Sequence, residues 1–235
     1  MEPPHELDVS TLSYEDFVLF FFTHPETDEF WHFDGQGRPL EFRFPRFSDP
    51  GALLAHLTRL FSNIRTASDG VSVSALDHGL DAIVSGGLFN LTQVTWNDSL
   101  PLEPRLACIR AMYGPFADFL AGCKVEFANQ AFWMWWDNVA GSFWGDQHFD
   151  KRNKQEDYAL LSTQDRQVAD CIMETLIRIL SLDDERCQSS AFHGVNHLHH
   201  PEGRVVVQKF IDDHRNQLTA ARLKWLEECR DGKAL

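Results

Sequence analysis

Basic side chains are scarce in this 235-residue sequence, which has 21 Lys and Arg against 35 Asp and Glu and a formal net charge of −14. Proteins that bind nucleic acids owe much of their affinity to clustered Lys and Arg side chains that contact phosphates. The sequence therefore argues against a nucleic-acid partner. Residues 1–49 alone carry 11 acids and 3 bases, so a basic partner would be drawn to this part of the chain. An acidic surface also favours solubility by itself, and both interpretations stay open.

Long hydrophobic runs and paired cysteines are also missing. The apolar run from Phe17 to Phe22 is far too short to span a hydrocarbon layer of about 30 Å. No basic region typical of a signal peptide precedes it. The five cysteines are an odd number and form no C-x-x-C pair, so we expect reduced and mostly buried thiols. These absences predict a soluble cytoplasmic protein with no membrane partner.

Familiar catalytic motifs are absent as well. The glycine-containing stretch at residues 35–38 lacks both the Lys and the following helix of a phosphate-binding loop. No G-x-S-x-G sequence, the motif that presents a nucleophilic serine in many hydrolases, occurs in the chain. The sequence thus predicts no catalytic residue of these standard kinds.

Helical periodicity dominates what is present. Apolar residues recur at spacings of three and four, as in the stripe of Leu53, Leu57 and Leu60, and this spacing is typical of amphipathic helices. Helices are predicted over residues 14–24, from 49 onward, 72–86, 101–122, 129–139, from 164 onward, 184–200 and 204–229, with a long connection from residue 141. Ser13 is the predicted N-cap of the first helix. The fold class is therefore all-α, either a right-handed stack of antiparallel helix pairs or an irregular helical bundle.

The N-terminal segment carries the one strand signal. Apolar and charged residues alternate over positions 40–44, after turn-forming residues at 34–37. This pattern predicts a short β-hairpin within residues 30–44. We accordingly divide the chain into residues 1–48, an N-terminal helix plus an aromatic irregular or hairpin segment, and residues 49–235, a helical-repeat-like domain, packed as one compact unit.

Two predicted helices share a short pattern. Residues 74–83 and 189–198 each contain His-Gly followed by an aliphatic residue and by a second one three positions later, and His193 lies 115 residues after His78. That separation is close to three repeats of about 40 residues, the period of HEAT-type units. In these features residues 49–229 resemble the HEAT-like and armadillo-like α-solenoids. The resemblance implies a curved helical stack whose concave face binds a partner, and it implies no reaction.

Three of the seven tryptophans lie close together in one predicted helix. Trp133, Trp135 and Trp136 fall within four residues, and Trp144 follows. On a helix these indoles point to at least two faces, so they cannot all pack inward on one side. One interpretation is a partner-binding surface made by these four tryptophans and Asp137. The other is a central helix that is buried on all sides.

The same helix has a second resemblance. Residues 136–139, Trp-Asp-Asn-Val, are similar to the Trp-Asp-x-Val-Asp stretch of the HEAT-like DNA glycosylases that remove alkylated bases. In that family the final acid is catalytic, and the matching position here is Ala140. Without that carboxylate, nothing stabilises the charge that develops on the sugar. The resemblance therefore implies the fold and not the glycosylase activity.

A group of four histidines is the strongest candidate for a metal-binding site. It comprises His193, His197, His199 and His200. The spacing of His193 and His197 places both imidazoles on one helix face, where they can reach one Zn or Fe ion. Gly194 stands where zinc peptidases have a catalytic Glu, and it would let a neighbouring helix come close. The alternative is that these histidines end a helix before Pro201, where imidazoles lie beside its last carbonyls.

Taken together, the sequence favours a non-enzymatic protein-interaction module that recognises a protein partner, in particular a basic one. Its acidic N-terminal part and its aromatic helix would make the contact, in an inhibitor, immunity-type or scaffold role. This interpretation requires no cofactor. The alternative is a metal-dependent enzyme that holds Zn or Fe at His193 and His197.

Overall fold

The structure, a computed structural model, describes residues 6–23, 44–84, 90–123, 131–148 and 158–234. Helices account for most of these residues, and the predicted all-α class is confirmed. Within the described ranges, no helix is both long enough and apolar enough to cross a membrane.

The helices are numbered here in chain order. Helices α1 to α5 span Tyr14–Phe22, Pro50–Ser62, Ile64–Ala67, Val73–Val84 and Leu102–Ala111. Helices α6 to α10 span Ala131–His148, Thr163–Leu180, Glu185–Leu198, Gly203–His214 and Ala220–Arg230. Short 3-10 turns cover Val9–Thr11, Leu91–Trp96 and Leu120–Gly122, and a π-helical turn covers Pro115–Phe119.

Local sequence explains where several helices begin. The Ser13 hydroxyl accepts a hydrogen bond from the backbone N–H of Asp16 at 3.1 Å, which confirms the predicted cap of α1. The Asp49 carboxylate accepts from two backbone N–H groups in the first turn of α2. Such caps satisfy N–H groups that have no partner inside the helix.

Three predicted helix boundaries are wrong. Helix α6 continues to His148, where the sequence suggested a connection, because two glycines in this stretch weaken the pattern without breaking the helix. The helix predicted over 204–229 is two helices, since Thr219 caps α10 by accepting from the Arg222 N–H at 3.2 Å. The helix predicted to reach residue 122 ends at Ala111, ahead of Pro115, whose ring nitrogen cannot donate.

Helices that are distant in sequence pack against one another. Helix α6 packs extensively on α8 and also contacts α4. Helix α1 packs on α4, α2 on α5, α5 on α7, and α7 on α8. Each of these contacts joins helices no more than three positions apart in chain order, a spacing that occurs both in stacked helix pairs and in bundles.

A small sheet joins the start of the chain to the segment before α2. Strands β1 (Glu6–Asp8) and β2 (Phe44–Arg46) run parallel, with Leu7 opposite Pro45. The hairpin predicted over residues 30–44 lies outside the described residues, apart from Phe44 at the start of β2.

Asp8 links β1 to the residues that lead into α2. Its Oδ1 accepts from the backbone N–H of Ser10 at 3.1 Å and from that of Ser48 at 3.3 Å. The Ser10 hydroxyl donates to the same oxygen. Hydrogen bonds from Ser10 and Ser48 lower the pKa of Asp8 to about 2, because they stabilise the ionised carboxylate.

Acidification should weaken this link. Because the pKa of Asp8 is lower in the folded protein, its stabilising contribution is present above about pH 4 and disappears as the pH falls towards 2. In urea unfolding followed by circular dichroism, the loss of stability on acidification should be smaller for Asp8→Asn than for the wild type. Asp98→Asn, at an exposed position, should keep the wild-type loss. Equal losses in Asp8→Asn and the wild type would contradict the prediction.

Candidate functional site

The aromatic helix α6 buries two of its tryptophans completely. Trp135 and Trp136 are fully buried, and their rings lie 5.5 and 6.0 Å from that of Phe116, centroid to centroid. Because α4 and α8 both pack on α6, this helix can bury more than one face. Neither Trp135 nor Trp136, both predicted as partner-binding residues, presents surface in this fold, which favours the alternative of a central helix whose tryptophans pack inward.

Two of the predicted partner-binding residues keep accessible surface. Trp133 is half-buried, and Asp137, one helical turn further on, has a side chain that is 25% exposed. Trp144 lies in α6, but its side chain is outside the described part of the structure. Among residues 131–140, Trp133 and Asp137 therefore lie on a partly accessible face of the aromatic helix.

Helix α8 places two histidines against this face. His193 stacks on the Trp133 ring with 4.7 Å between centroids, and its Nδ1 lies 3.1 Å from the Trp133 carbonyl oxygen. The Nε2 atoms of His193 and His197 are 2.9 Å apart, and His197 Nδ1 lies 3.0 Å from Asp137 Oδ1. The predicted juxtaposition of the two imidazoles is confirmed. We call His193 and His197 the imidazole pair.

The acceptors at both ends of the imidazole pair fix its hydrogens. A carbonyl oxygen and an ionised carboxylate only accept hydrogen bonds, so each Nδ1 carries a hydrogen and donates it. The two Nε2 atoms face each other at hydrogen-bond distance. Burial lowers the pKa of His193, because it disfavours the charged imidazolium. The hydrogen bond from His197 in turn lowers the pKa of Asp137, which keeps that carboxylate ionised.

The other two histidines of the group do not join the pair. His199 follows the end of α8 with a left-handed backbone, φ 51°, and His200 Nε2 lies 3.0 Å from Asp170 Oδ1 on α7. Helix α8 ends at Leu198, before Pro201, as the sequence predicted. Over the described ranges, no group of three or more His, Cys, Asp or Glu side chains could hold a metal ion.

The cysteines offer no reactive thiol in the core. All five are free, and all except Cys123 are buried, as the sequence predicted. Burial raises the pKa of Cys108, Cys187 and Cys229 to about 12. Since the thiolate is the form that attacks electrophiles or binds metals, these residues act as packing groups.

A concave surface, separate from the imidazole pair, lies between α1 and the α2–α3 region, and we call it the α1 groove. Its volume is about 530 Å³. Its apolar lining residues are Val18, Leu19, Phe22, Ala67 and Val71. Its polar lining residues are Tyr14, Glu15, Thr23, Arg59, Asn63, Thr66 and Asp69. Leu19 is 57% exposed, an unusual exposure for a large apolar side chain beside a groove.

One part of the groove lining contains an unsatisfied hydroxyl. The Arg59 guanidinium lies 3.7 Å from the centre of the Tyr14 ring and donates to Glu15 Oε1 at 3.1 Å. Tyr14 Oη is buried and has no hydrogen-bond partner among the described residues. Burial raises the pKa of Tyr14, so the hydroxyl stays protonated. Buried polar atoms without a partner are rare in proteins.

No sequence pattern predicts the α1 groove. Its walls come from α1 and from the α2–α3 region, and no motif relates these separate segments. The only signal was general, namely the excess of acidic residues at the N-terminal end.

Comparison with protein-family models, with curated proteins and with solved structures finds no match to this chain.

Proposed function

We propose that this protein is a non-enzymatic protein-interaction module that binds an amphipathic, basic helix of a partner protein in the α1 groove. The observation that carries the proposal is the groove itself, with its apolar lining and the exposed Leu19. Exposed apolar surface beside a concavity is typical of binding sites. Such a module would act as an inhibitor, an immunity-type protein or a scaffold.

The size and the walls of the groove support a helical ligand. Its volume of about 530 Å³ lies within the usual range for sites that enclose a few apolar groups. An amphipathic helix would lay residues spaced three and four apart against Val18, Leu19 and Val71.

Charge supports a basic ligand. Residues 1–49 carry 11 acids against 3 bases, and Glu15 and Asp69 lie in the groove lining. Arg59, the basic residue of the lining, is already engaged by Glu15 and by the Tyr14 ring. Complementary charge mainly accelerates association and weakens with salt. The association rate should therefore fall at high ionic strength.

Replacing Leu19 by Asp should abolish most of this binding. The test uses a displayed library of short amphipathic helices with Lys and Arg on the polar face and Leu, Ile and Phe on the apolar face. The wild type should enrich members of this library over a matched library with Asp and Glu on the polar face. For an enriched peptide, Leu19→Asp should raise the dissociation constant at least about tenfold, which corresponds to about 1.4 kcal/mol. Fluorescence anisotropy measures the change.

A matched variant separates the groove from general surface effects. Val205 is 69% exposed on α9, so Val205→Asp adds the same charge at another exposed apolar position and should leave binding unchanged. The proposal fails if no basic peptide is enriched, or if Leu19→Asp and Val205→Asp bind equally well.

A further inference from the structure

We propose that His193 and His197 bind a Zn²⁺ ion through their Nε2 atoms, with the Trp133 carbonyl and the Asp137 carboxylate holding the two rings from behind. The two Nε2 atoms face each other and are 2.9 Å apart. They lie on consecutive turns of one helix, so the backbone of α8 fixes their spacing. This site lies on α6 and α8, and the inference does not depend on the proposed function of the α1 groove.

The groups behind the imidazoles are those that support metal-binding histidines. A histidine that binds a metal almost always donates its other ring N–H to a carboxylate or to a backbone carbonyl. His193 Nδ1 donates to the Trp133 carbonyl at 3.1 Å, and His197 Nδ1 lies 3.0 Å from Asp137 Oδ1. Both rings are therefore oriented with Nε2 towards the other ring.

The distance between the two nitrogens is close to the one that zinc needs. Zn–N bonds of about 2.0–2.1 Å at a tetrahedral angle place two ligand nitrogens about 3.3 Å apart. The Nε2 atoms must therefore separate by only a few tenths of an ångström. His193 is buried and stacked on Trp133, whereas the His197 side chain is 24% exposed and supplies the movement. The ion binds the lone pairs of the two Nε2 atoms, and any proton on these atoms leaves to solvent.

The site would be open on one side. The described residues supply two nitrogen ligands and no third His, Cys, Asp or Glu within the same group, so water or a partner side chain completes the coordination. Imidazole ligands suit zinc and its neighbouring transition metals and not Mg²⁺ or Ca²⁺. The partly exposed side chains of His197 and Asp137 mark the side from which the ion enters.

Metal titration of the full chain tests this inference. Protein purified without an affinity tag and treated with a chelator is titrated with Zn²⁺ in competition with a chromophoric chelator. We expect one Zn²⁺ per chain for the wild type and loss of this site in His197→Ala. Asp137→Asn, which keeps both ligands, should bind about 10–100-fold more weakly. Circular dichroism of each variant checks that the fold is retained.

A histidine elsewhere in the chain provides the matched control. His214 is half-buried on α9 and contacts the Phe210 carbonyl at 3.0 Å, so His214→Ala should bind Zn²⁺ like the wild type. The inference is overturned if the wild type takes up no stoichiometric Zn²⁺. It is equally overturned if uptake survives in His197→Ala, or if Asp137→Asn leaves the affinity unchanged.

Discussion

Replacing Trp136 by Ala should lower the free energy of unfolding by about 3–5 kcal/mol, the usual cost of removing a large buried aromatic side chain. Trp136 is fully buried, and its ring stacks on Phe116 with 6.0 Å between centroids. Its indole nitrogen has no hydrogen-bond partner among the described residues. The expected loss is therefore one of packing, and it includes the cavity that Ala leaves.

Urea unfolding followed by tryptophan fluorescence and circular dichroism measures this loss. Trp136→Phe keeps most of the buried volume and should cost clearly less than Trp136→Ala. Leu160→Ala, at a position that is 67% exposed, should leave the free energy of unfolding almost unchanged. If Trp136→Ala unfolds at the wild-type urea concentration, Trp136 does not pack in the core.

Replacing Gly194 by Ala should destabilise the protein although Ala is the better helix former. A Cβ at Gly194 would lie 2.8 Å from Leu176 Cδ2 and 2.9 Å from Trp136 Cγ, and the buried Trp136 has no space to retreat. Overpacking of this kind costs about 1–3 kcal/mol. In a solvated helix the same substitution gains up to about 1 kcal/mol. We therefore expect a net loss, because α8 must move away from α6.

A second readout shows whether the helices separate. Movement of α8 would lengthen the contacts of His193 and His197 with the carbonyl and carboxylate groups of α6. The imidazole nitrogen chemical shifts of both histidines should therefore change in Gly194→Ala. Gly122→Ala is the control, because nothing lies within 4 Å of the added Cβ. A Gly194→Ala protein as stable as the wild type would show that α6 and α8 do not approach so closely.

The shared His-Gly pattern has a packing explanation in both places. A Cβ at Gly79 would lie 2.5 Å from the Phe21 carbonyl oxygen, so α4 crosses α1 closely at this residue. Gly194 has the same role between α8 and α6, as the sequence analysis suggested. Each glycine allows a helix crossing that any larger side chain would push apart. The pattern in residues 74–83 and 189–198 therefore marks helix contacts, whatever its relation to a repeat.

Features that depend on residues close together along the chain could be predicted from local sequence patterns. Apolar spacing predicted the helices, Ser13 marked the start of α1, and the spacing of His193 and His197 placed both on one face. These predictions succeed because a helix relates residues three and four apart through its own backbone geometry. The odd number of cysteines and the absence of a C-x-x-C pair predicted reduced thiols that are mostly buried.

Contacts between distant segments determine which of these residues are accessible and which are brought together. Trp135 and Trp136 are buried while Trp133 keeps some surface, because α4 and α8 cover particular faces of α6. Asp137 became the partner of His197 only when α8 packed against it. The α1 groove exists because α1 lies beside the α2–α3 region. Each of these depends on contacts between distant parts of the chain, which periodicity along one helix does not encode.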